Sequence, residues 1–372
     1  MNKNIFLADP TITDTEINDV IDVLRSGKLV QGKVVEEIEK TISAFTTSPY
    51  PSLVSNGTAT MHIALKILGI GIGDEVIVPA LSYVATANVV ELLGAKPVFV
   101  DVDLNYFNID TKLIRAKITD KTKAIIPVHE FGLAANMTEI MKLAKEFNLF
   151  VIEDAACAIG ATWEGKHVGT FGDFGSYSFH PRKSITSGEG GCITCNTKPN
   201  DKLVKIFRNH GIDLSEGNMD FVEAGFNYRL TDFQAALLRG QFKRLSDTIS
   251  IKRDLADAYF SNISTNKVTL PSIPKGATHT WQSFHILMES EEERNGLKHF
   301  LAENNIFTNY GAQCIPECTF YLKKYNLNSK LSFSNAYKTY TCGLVLPLYD
   351  KLIESDIVRI SRLVNNYFKH DK

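Results

Sequence analysis

Short apolar runs alternate with helix-like segments through the first two-thirds of the chain. The helix-like segments repeat apolar residues at helical spacing, as Met61, Ala64, Leu65 and Leu68 do after the first run. Such alternation with short connections predicts a mainly parallel sheet covered by helices. The predicted strands are Ser52–Asn56, Glu75–Pro79, Pro97–Asp101, Lys123–Val128 and Phe150–Glu153, and the predicted helices are Thr58–Leu68, Tyr83–Leu93, Asp110–Lys117 and Asn136–Phe147.

The pattern then changes to shorter strands and glycine-rich turns, followed by a long helical stretch from Thr231 to about Asn262. The rest of the chain predicts a smaller α+β domain. Its predicted strand is Trp281–Met288 and its predicted helices are Glu291–Glu303 and Glu354–Tyr367. We therefore expect a large α/β domain over residues 1–245 and a small C-terminal domain over residues 246–372.

Composition excludes several classes of protein. The chain has 372 residues, of which 44% are hydrophobic and 22% are charged, as in globular rather than disordered proteins. Lys plus Arg is 40 and Asp plus Glu is 42, so the formal net charge is −2, and no strong field favours nucleic acid or an anionic membrane. No apolar run approaches about 18 residues, and residues 1–10 lack an apolar signal core. We expect a cytoplasmic protein that binds neither nucleic acid nor membranes.

Six cysteines in a chain of this length do not indicate a disulfide framework. Cys192 and Cys195 form a C-x-x-C pair, but the segment Gly-Gly-Cys-Ile-Thr-Cys-Asn is typical of a strand. Positions i and i+3 of a strand face opposite sides, which is poor geometry for one zinc ion. We expect reduced cytosolic thiols and no metal site.

A turn of small residues, Ser55 to Thr60, joins the first predicted strand to the first predicted helix. Free N–H groups and the helix dipole make such a turn a phosphate site. A plain helix capped by Asn56 or Thr58 explains the same residues.

Two acids, Glu153 and Asp154, end a very apolar strand, and alternation sends them to opposite faces. One of them either caps the next turn or binds a cation or a protonated ring. Lys183 follows a later strand and precedes a glycine-rich turn, with His180 and Arg182 nearby. Most lysines lie on the surface, but here burial and neighbouring cations are expected to lower the lysine pKa, so that a neutral amine can form a Schiff base.

These three features together indicate one cofactor. A phosphate site, a carboxylate for a pyridinium nitrogen and a Schiff-base lysine are what a protein contributes to pyridoxal 5'-phosphate chemistry.

The sequence resembles the DegT/DnrJ/EryC1/StrS family of nucleotide-sugar aminotransferases over nearly its whole length. The matching motifs are Asn56-Gly-Thr-Ala, Gly73-Asp-Glu-Val-Ile-Val-Pro, Ala95-Lys-Pro-Val-Phe-Val-Asp, Glu153-Asp-Ala-Ala, Ser178-Phe-His-Pro-Arg-Lys, Gly188-Glu-Gly-Gly, Gly225-Phe-Asn-Tyr-Arg-Leu-Thr-Asp and Leu346-Pro-Leu-Tyr. The resemblance implies the pyridoxal-phosphate fold type I, similar to aspartate aminotransferase, and a homodimer with shared active sites.

The resemblance also implies roles for particular residues. Lys183 is the expected catalytic lysine, Asp154 the acid on the pyridinium nitrogen, and Tyr83 the ring stacked on the cofactor. The other expected cofactor contacts are Gly57, Thr58 and Ala59 through backbone amides, Ser178 through its hydroxyl, Asn227 from the partner subunit, and Cys157.

Two departures from the family pattern bear on the chemistry. Cys157 stands where many members carry Gln or His to bond the cofactor's ring oxygen, and a thiol is a weak substitute. The usual sugar-side segment corresponds to Tyr310-Gly-Ala-Gln-Cys314, so His180, Tyr310 and Gln313 are the expected substrate contacts. The motif from His129 to Gly132 is also a variant of the more usual His-x-x-Gly.

The predicted activity is transfer of an amino group from L-glutamate to a nucleotide-linked keto-sugar, in particular a 4-keto-6-deoxyhexose, for amino-sugar and surface-polysaccharide biosynthesis such as lipopolysaccharide O-antigen. Three alternatives stay open. They are an aminotransferase for a free keto-sugar acid or cyclitol, a sugar dehydratase on the same fold, and a regulatory protein without turnover. Lys183 argues against the dehydratase, because those enzymes resemble this family with histidine in that position.

Overall fold

Seven strands form the central sheet of the computed structural model, which describes residues 3–214 and 217–369. Along the sheet their order is β1-β7-β6-β5-β4-β2-β3, and every strand except β7 points the same way. The mainly parallel sheet is therefore confirmed, with each predicted strand within a few residues of its observed bounds. The strands are β1 (Tyr50–Val54), β2 (Glu75–Pro79), β3 (Lys96–Val100), β4 (Thr122–Ile125), β5 (Phe150–Asp154), β6 (Phe174–Ser178) and β7 (Gly191–Cys195).

Helices cover both faces of this sheet. In β2, Val76 and Val78 pack into one apolar core while Ile77 packs into the other, as expected of a parallel strand buried on both faces. The two N-terminal helices were not predicted. The helices are Asp14–Ser26, Lys33–Thr46, Gly57–Ile67, Ala85–Leu92, Thr111–Ile114, Met137–Phe147, Lys198–Arg208 and Asp232–Lys243.

The long helical stretch predicted from Thr231 to Asn262 is two helices, Asp232–Lys243 and Leu245–Asn262. Arg244 separates them with φ −107° and ψ 7°. Its guanidinium bonds the buried Glu16 carboxylate at 2.5 Å and the Thr11 carbonyl at 2.8 Å. The break in the helix therefore coincides with a long-range contact of Arg244. The predicted domain boundary between residues 245 and 246 falls beside this break and stays a prediction.

A three-stranded sheet, β8 (Val268–Thr269), β9 (Phe284–Met288) and β10 (Gly343–Leu346), organises the C-terminal part. The strand predicted from Trp281 begins only at Phe284, because Trp281 has a left-handed backbone (φ 53°) and stacks on His279. A third apolar core lies here. The helices of this part are Glu291–Glu303, Thr319–Tyr325, Ser329–Ser332, Ser334–Cys342 and Glu354–Lys369.

The cysteines of the C-x-x-C pair lie as the strand pattern predicts. Cys192 packs into one core and Cys195 into the other, on opposite faces of β7, and all six cysteines are free. Within the described residues there is no group of three or more His, Cys, Asp or Glu that could hold a metal ion. None of the helices over the same residues has the length and hydrophobicity needed to cross a membrane.

Candidate active site

A cavity of about 700 Å³ opens where the parallel strands of the central sheet end. Asp154 is the last residue of β5, Ser178 is the last residue of β6, and Lys183 follows β6 by five positions. All three line the cavity. Ligands of open parallel sheets bind at the carboxyl ends of the strands, so this cavity is the candidate active site.

One wall of the cavity is the N-terminus of helix Gly57–Ile67. Asn56 caps the helix by accepting the Ala59 N–H at 2.8 Å, which leaves the N–H groups of Gly57 and Thr58 without an acceptor among the described residues. A Cβ on Gly57 would lie 3.0 Å from the Ser178 Cβ, so glycine allows the serine hydroxyl to approach the helix end. Two free N–H donors, a hydroxyl and the helix dipole form a fitting site for a phosphate.

The two adjacent acids of β5 point to opposite faces, as alternation predicts. The Asp154 carboxylate lines the cavity and accepts a hydrogen bond from Thr86 Oγ1 at 2.8 Å. The fully buried Glu153 carboxylate accepts the N–H groups of Gly169, Phe171 and Gly172 at 2.8, 2.6 and 2.9 Å. Glu153 therefore holds a loop in place, and Asp154 is the acid available to a bound ring.

Lys183 places its Nζ atom 2.9 Å from the Cys157 sulfur. Burial lowers the lysine pKa, but the Cys157 sulfur and the Asp154 and Glu130 carboxyl groups outweigh burial, and the pKa of Lys183 lies above its ordinary value. The expectation of a lowered pKa was therefore wrong for the cofactor-free protein. The sequence shows the neighbouring cations His180 and Arg182, whereas the acids come from other strands.

The expected substrate contacts all line the cavity. His180, Tyr310 and Gln313 line it, as does Tyr83, which is 67% exposed. A two-residue pairing between Gln313–Cys314 and Leu81–Ser82 carries this segment to the cavity. Gln313 donates to the Tyr310 hydroxyl at 3.3 Å, while its own Oε1 is buried without a partner among the described residues.

Asn227 is the one expected cofactor contact that does not line the cavity of its own chain. It is exposed and forms an isolated bridge with Asn209. Glu130, in contrast, lines the cavity although sequence reasoning gave it no role. A charged residue two positions after the predicted apolar strand Lys123–Val128 was the signal available in the sequence.

The fold and the cavity together define a class of protein. A mainly parallel sheet whose strand ends present a phosphate site, a carboxylate and a half-buried lysine has the donor set that pyridoxal phosphate requires. The residues present therefore fit this cofactor.

Comparisons with known proteins agree with this class. The model of the DegT/DnrJ/EryC1/StrS aminotransferase family matches residues 10–365. GDP-perosamine synthase of Escherichia coli O157:H7 is 35% identical over 370 residues, which cover 98% of this chain and 99% of that protein. The UDP-4-amino-4-deoxy-L-arabinose–oxoglutarate aminotransferase of Shewanella sediminis is 33% identical over 392 residues, covering 98% and 99%.

A solved structure has the same fold as this chain. Spr1654 of Streptococcus pneumoniae, assigned as a sugar aminotransferase, superposes in its pyridoxal-phosphate form with a TM-score of 0.92 and 30% identity over 99% of both chains. The chain belongs to the DegT/DnrJ/EryC1/StrS aminotransferase family. It is a sugar aminotransferase that depends on pyridoxal phosphate, and the predicted fold type, cofactor and enzyme class are confirmed.

Proposed function

We propose that this enzyme moves an amino group from L-glutamate to a nucleotide-linked keto-sugar, in particular a 4-keto-6-deoxyhexose. The observation that carries the proposal is one cavity holding Lys183, Asp154 and Ser178 at the end of helix Gly57–Ile67, in a chain of the sugar aminotransferase family. The relatives named for GDP-perosamine and for UDP-4-amino-4-deoxy-L-arabinose support a nucleotide-linked substrate, and the second name includes oxoglutarate, the product of glutamate.

In this proposal each cavity residue has a defined task. The N–H groups of Gly57 and Thr58 and the Ser178 hydroxyl hold the phosphate, while the Ala59 N–H serves the Asn56 cap. The Asp154 carboxylate keeps the ring nitrogen protonated, and Tyr83 covers the ring face. Cys157 lies beside the lysine and contributes only a weak donor.

Lys183 carries the chemistry contributed by the protein. The cofactor, when bound, supplies an electron-accepting ring. Lys183 Nζ would hold the cofactor covalently in the resting enzyme. As a free amine, Lys183 Nζ would take the proton from the amino-acid α-carbon as a general base and deliver it as a general acid. The same steps in reverse aminate the keto-sugar, so the kinetics are expected to be ping-pong.

The sugar side of the cavity is assigned to His180, Tyr310 and Gln313. The unpaired, buried Oε1 of Gln313 is an acceptor suited to a sugar hydroxyl. The proposal includes a homodimer in which Asn227 reaches the phosphate of the partner's site. Its support is the position of Asn227, which is exposed and outside its own cavity. The proposed setting is cytoplasmic supply of amino sugars for surface polysaccharide such as lipopolysaccharide O-antigen.

A panel of keto-sugars tests the substrate. Each sugar is offered with and without its nucleotide in the presence of L-glutamate, and both 2-oxoglutarate and the amino sugar are measured by mass spectrometry. We expect turnover only with nucleotide-linked 4-keto-6-deoxyhexoses. Equal turnover of a free keto-sugar acid or a cyclitol would contradict the proposal.

A further inference from the structure

Glu130 is a buried carboxyl group without a partner in the active-site cavity. It begins the turn Glu130–Gly132 after β4, is 5% exposed and lines the cavity. Its carboxyl oxygens make no hydrogen bond or ion pair within the described residues, and they are not among the fully buried atoms that lack a partner, so they face the open cavity. A largely buried carboxyl group of this kind is costly to ionise, and a molecule bound in the cavity would supply its missing partner.

The backbone around Glu130 is held in place by distant segments. Its N–H donates to Asn108 Oδ1 at 2.8 Å, and the Phe131 carbonyl accepts the Ser283 N–H at 3.2 Å. Phe131 has φ 55°, a left-handed conformation that is rare for an aromatic residue. Strained backbone of this kind persists where the surrounding structure imposes it, most often at functional sites. The fold therefore fixes Glu130 at the cavity wall even though its carboxyl gains no bond there.

The strand order shows which part of the cofactor Glu130 faces. The candidate phosphate donors follow β1 and end β6, Asp154 ends β5, and Glu130 follows β4. Glu130 thus lies on the side of Asp154 away from the phosphate donors. Pyridoxal phosphate carries its phosphate arm and its ring oxygen on opposite edges of the ring. A ring with its nitrogen at Asp154 and its phosphate at helix Gly57–Ile67 turns its ring oxygen toward the β4 side.

We propose that Glu130 acts as a neutral carboxylic acid that donates a hydrogen bond to the ring oxygen of the cofactor. The proposal rests on the cofactor placement of the preceding section. Glu130 would thereby take over the task that Gln or His performs at position 157 in the family pattern. Cys157 is a poor donor for that task, and its sulfur lies against Lys183 Nζ.

The charges around Glu130 keep it protonated near neutral pH. Burial and the Asp154 carboxylate raise the pKa of Glu130 to about 8, while Lys183 opposes the rise. His279 and His285 line the small cavity behind Glu130, and burial lowers the pKa of each to about 3, so both are uncharged. Burial raises the pKa of the Cys157 thiol on the neighbouring wall above its ordinary value, so this thiol adds no charge near neutral pH.

The test measures binding of pyridoxal phosphate to the cofactor-free protein by absorbance, without any keto-sugar. Glu130→Leu removes the donor, and we expect the dissociation constant to rise roughly 10- to 100-fold. The double variant Glu130→Leu with Cys157→Gln restores a donor from the other position and should recover most of that affinity. Because Glu130→Leu removes an unpaired buried carboxyl, the cofactor-free variant should unfold at no lower denaturant concentration than the wild type.

Glu130→Gln supplies a second, nearly isosteric comparison. The glutamine amide donates a hydrogen bond but does not titrate. The affinity of this variant for pyridoxal phosphate should therefore match that of the wild type at neutral pH. Above about pH 8, where Glu130 ionises, wild-type affinity should fall relative to the Gln variant, because a proton must be regained to bind.

Unchanged affinity in Glu130→Leu, or identical pH profiles for the wild type and Glu130→Gln, would overturn the proposal. Either result is independent of whether the sugar is nucleotide-linked. An enzyme that binds the cofactor as described but does not aminate any nucleotide sugar would contradict the proposed function alone.

Discussion

Two separate replacements, Glu153→Gln and Asp154→Asn, are expected to have opposite consequences although the residues are adjacent. Each exchanges a carboxylate for an amide of nearly the same shape. Glu153 accepts three backbone N–H groups on the buried side of β5. Asp154 lines the cavity and accepts from the Thr86 hydroxyl. The first change should therefore affect folding, and the second should affect the cofactor.

The magnitudes follow from these contacts. In Glu153→Gln an amide N–H must face at least one backbone N–H, and one or two charge-assisted bonds of roughly 1.5–3 kcal/mol each are lost. The resulting loss of about 1.5–6 kcal/mol is a large part of a typical unfolding free energy of about 5–15 kcal/mol. In Asp154→Asn the amide oxygen can still accept from Thr86, but the amide nitrogen would face the Ala156 N–H that the second carboxylate oxygen accepts at 3.2 Å. With one weaker hydrogen bond lost, stability should fall by about 1 kcal/mol. Cofactor affinity should fall roughly 10- to 100-fold, because one charge-assisted bond in a partly dry site is lost.

Both quantities can be measured on the same preparations. Urea unfolding of the cofactor-free proteins gives stability, and absorbance titration with pyridoxal phosphate gives affinity per folded molecule. Release of 2-oxoglutarate from L-glutamate gives the rate of the first half-reaction, which should drop strongly only in Asp154→Asn. If Glu153→Gln binds the cofactor more weakly than Asp154→Asn at equal folded fraction, the assignment of the two acids is reversed and the reasoning fails.

Three further predictions follow from the same geometry. Lys183→Ala should lower amine transfer by several powers of ten, because covalent attachment and proton transfer are both lost, while absorbance still shows non-covalent cofactor binding; retention of more than a few per cent of turnover would contradict it. Gly57→Ala places a Cβ 3.0 Å from Ser178 Cβ and should weaken cofactor binding, whereas Thr58→Ala, which keeps the backbone N–H, is the matched control and should bind normally. Mixed dimers of Lys183→Ala and Asn227→Asp, refolded together at random pairing, should regain roughly a quarter of wild-type activity, since half the dimers are mixed and half their sites are intact; demonstrated mixed dimers without recovery would mean that Asn227 does not act in the partner's site.

The parallel sheet was predictable because each strand is a short apolar run. Such a run can be recognised from neighbouring residues alone. The bounds predicted for Glu75–Pro79 match the observed strand, and the opposite orientations of Glu153 and Asp154 follow from the strand period alone. The break at Arg244 was not predictable in the same way. It occurs at a residue whose side chain bonds Glu16, more than two hundred positions away, and no local pattern in the sequence indicates that contact.

The pKa of Lys183 was also not predictable from neighbouring residues in the sequence. Nearby sequence presents Lys183 with the cations His180 and Arg182, which predicts a lowered pKa. The folded chain instead presents it with Asp154 and Glu130, acids that follow other strands of the sheet. A pKa depends on charges within a few ångströms, and only the strand order determines which charges those are.

In the proposed assignment, different structural elements hold the residues that bind the cofactor and the residues that recognise the sugar. In the proposed assignment the cofactor contacts Asp154 and Ser178 are strand ends of a seven-stranded sheet, and their positions are fixed by continuous backbone pairing. The sugar-side segment that carries Tyr310 and Gln313 is held by shorter pairings, a two-residue ladder with Leu81–Ser82 and an isolated bridge between Asn309 and Val345. Relatives at 33% and 35% identity carry names with different nucleotides, UDP and GDP. Overall identity therefore supports the reaction rather than a particular sugar, and in the proposed assignment the sugar would be recognised by the 310–313 segment.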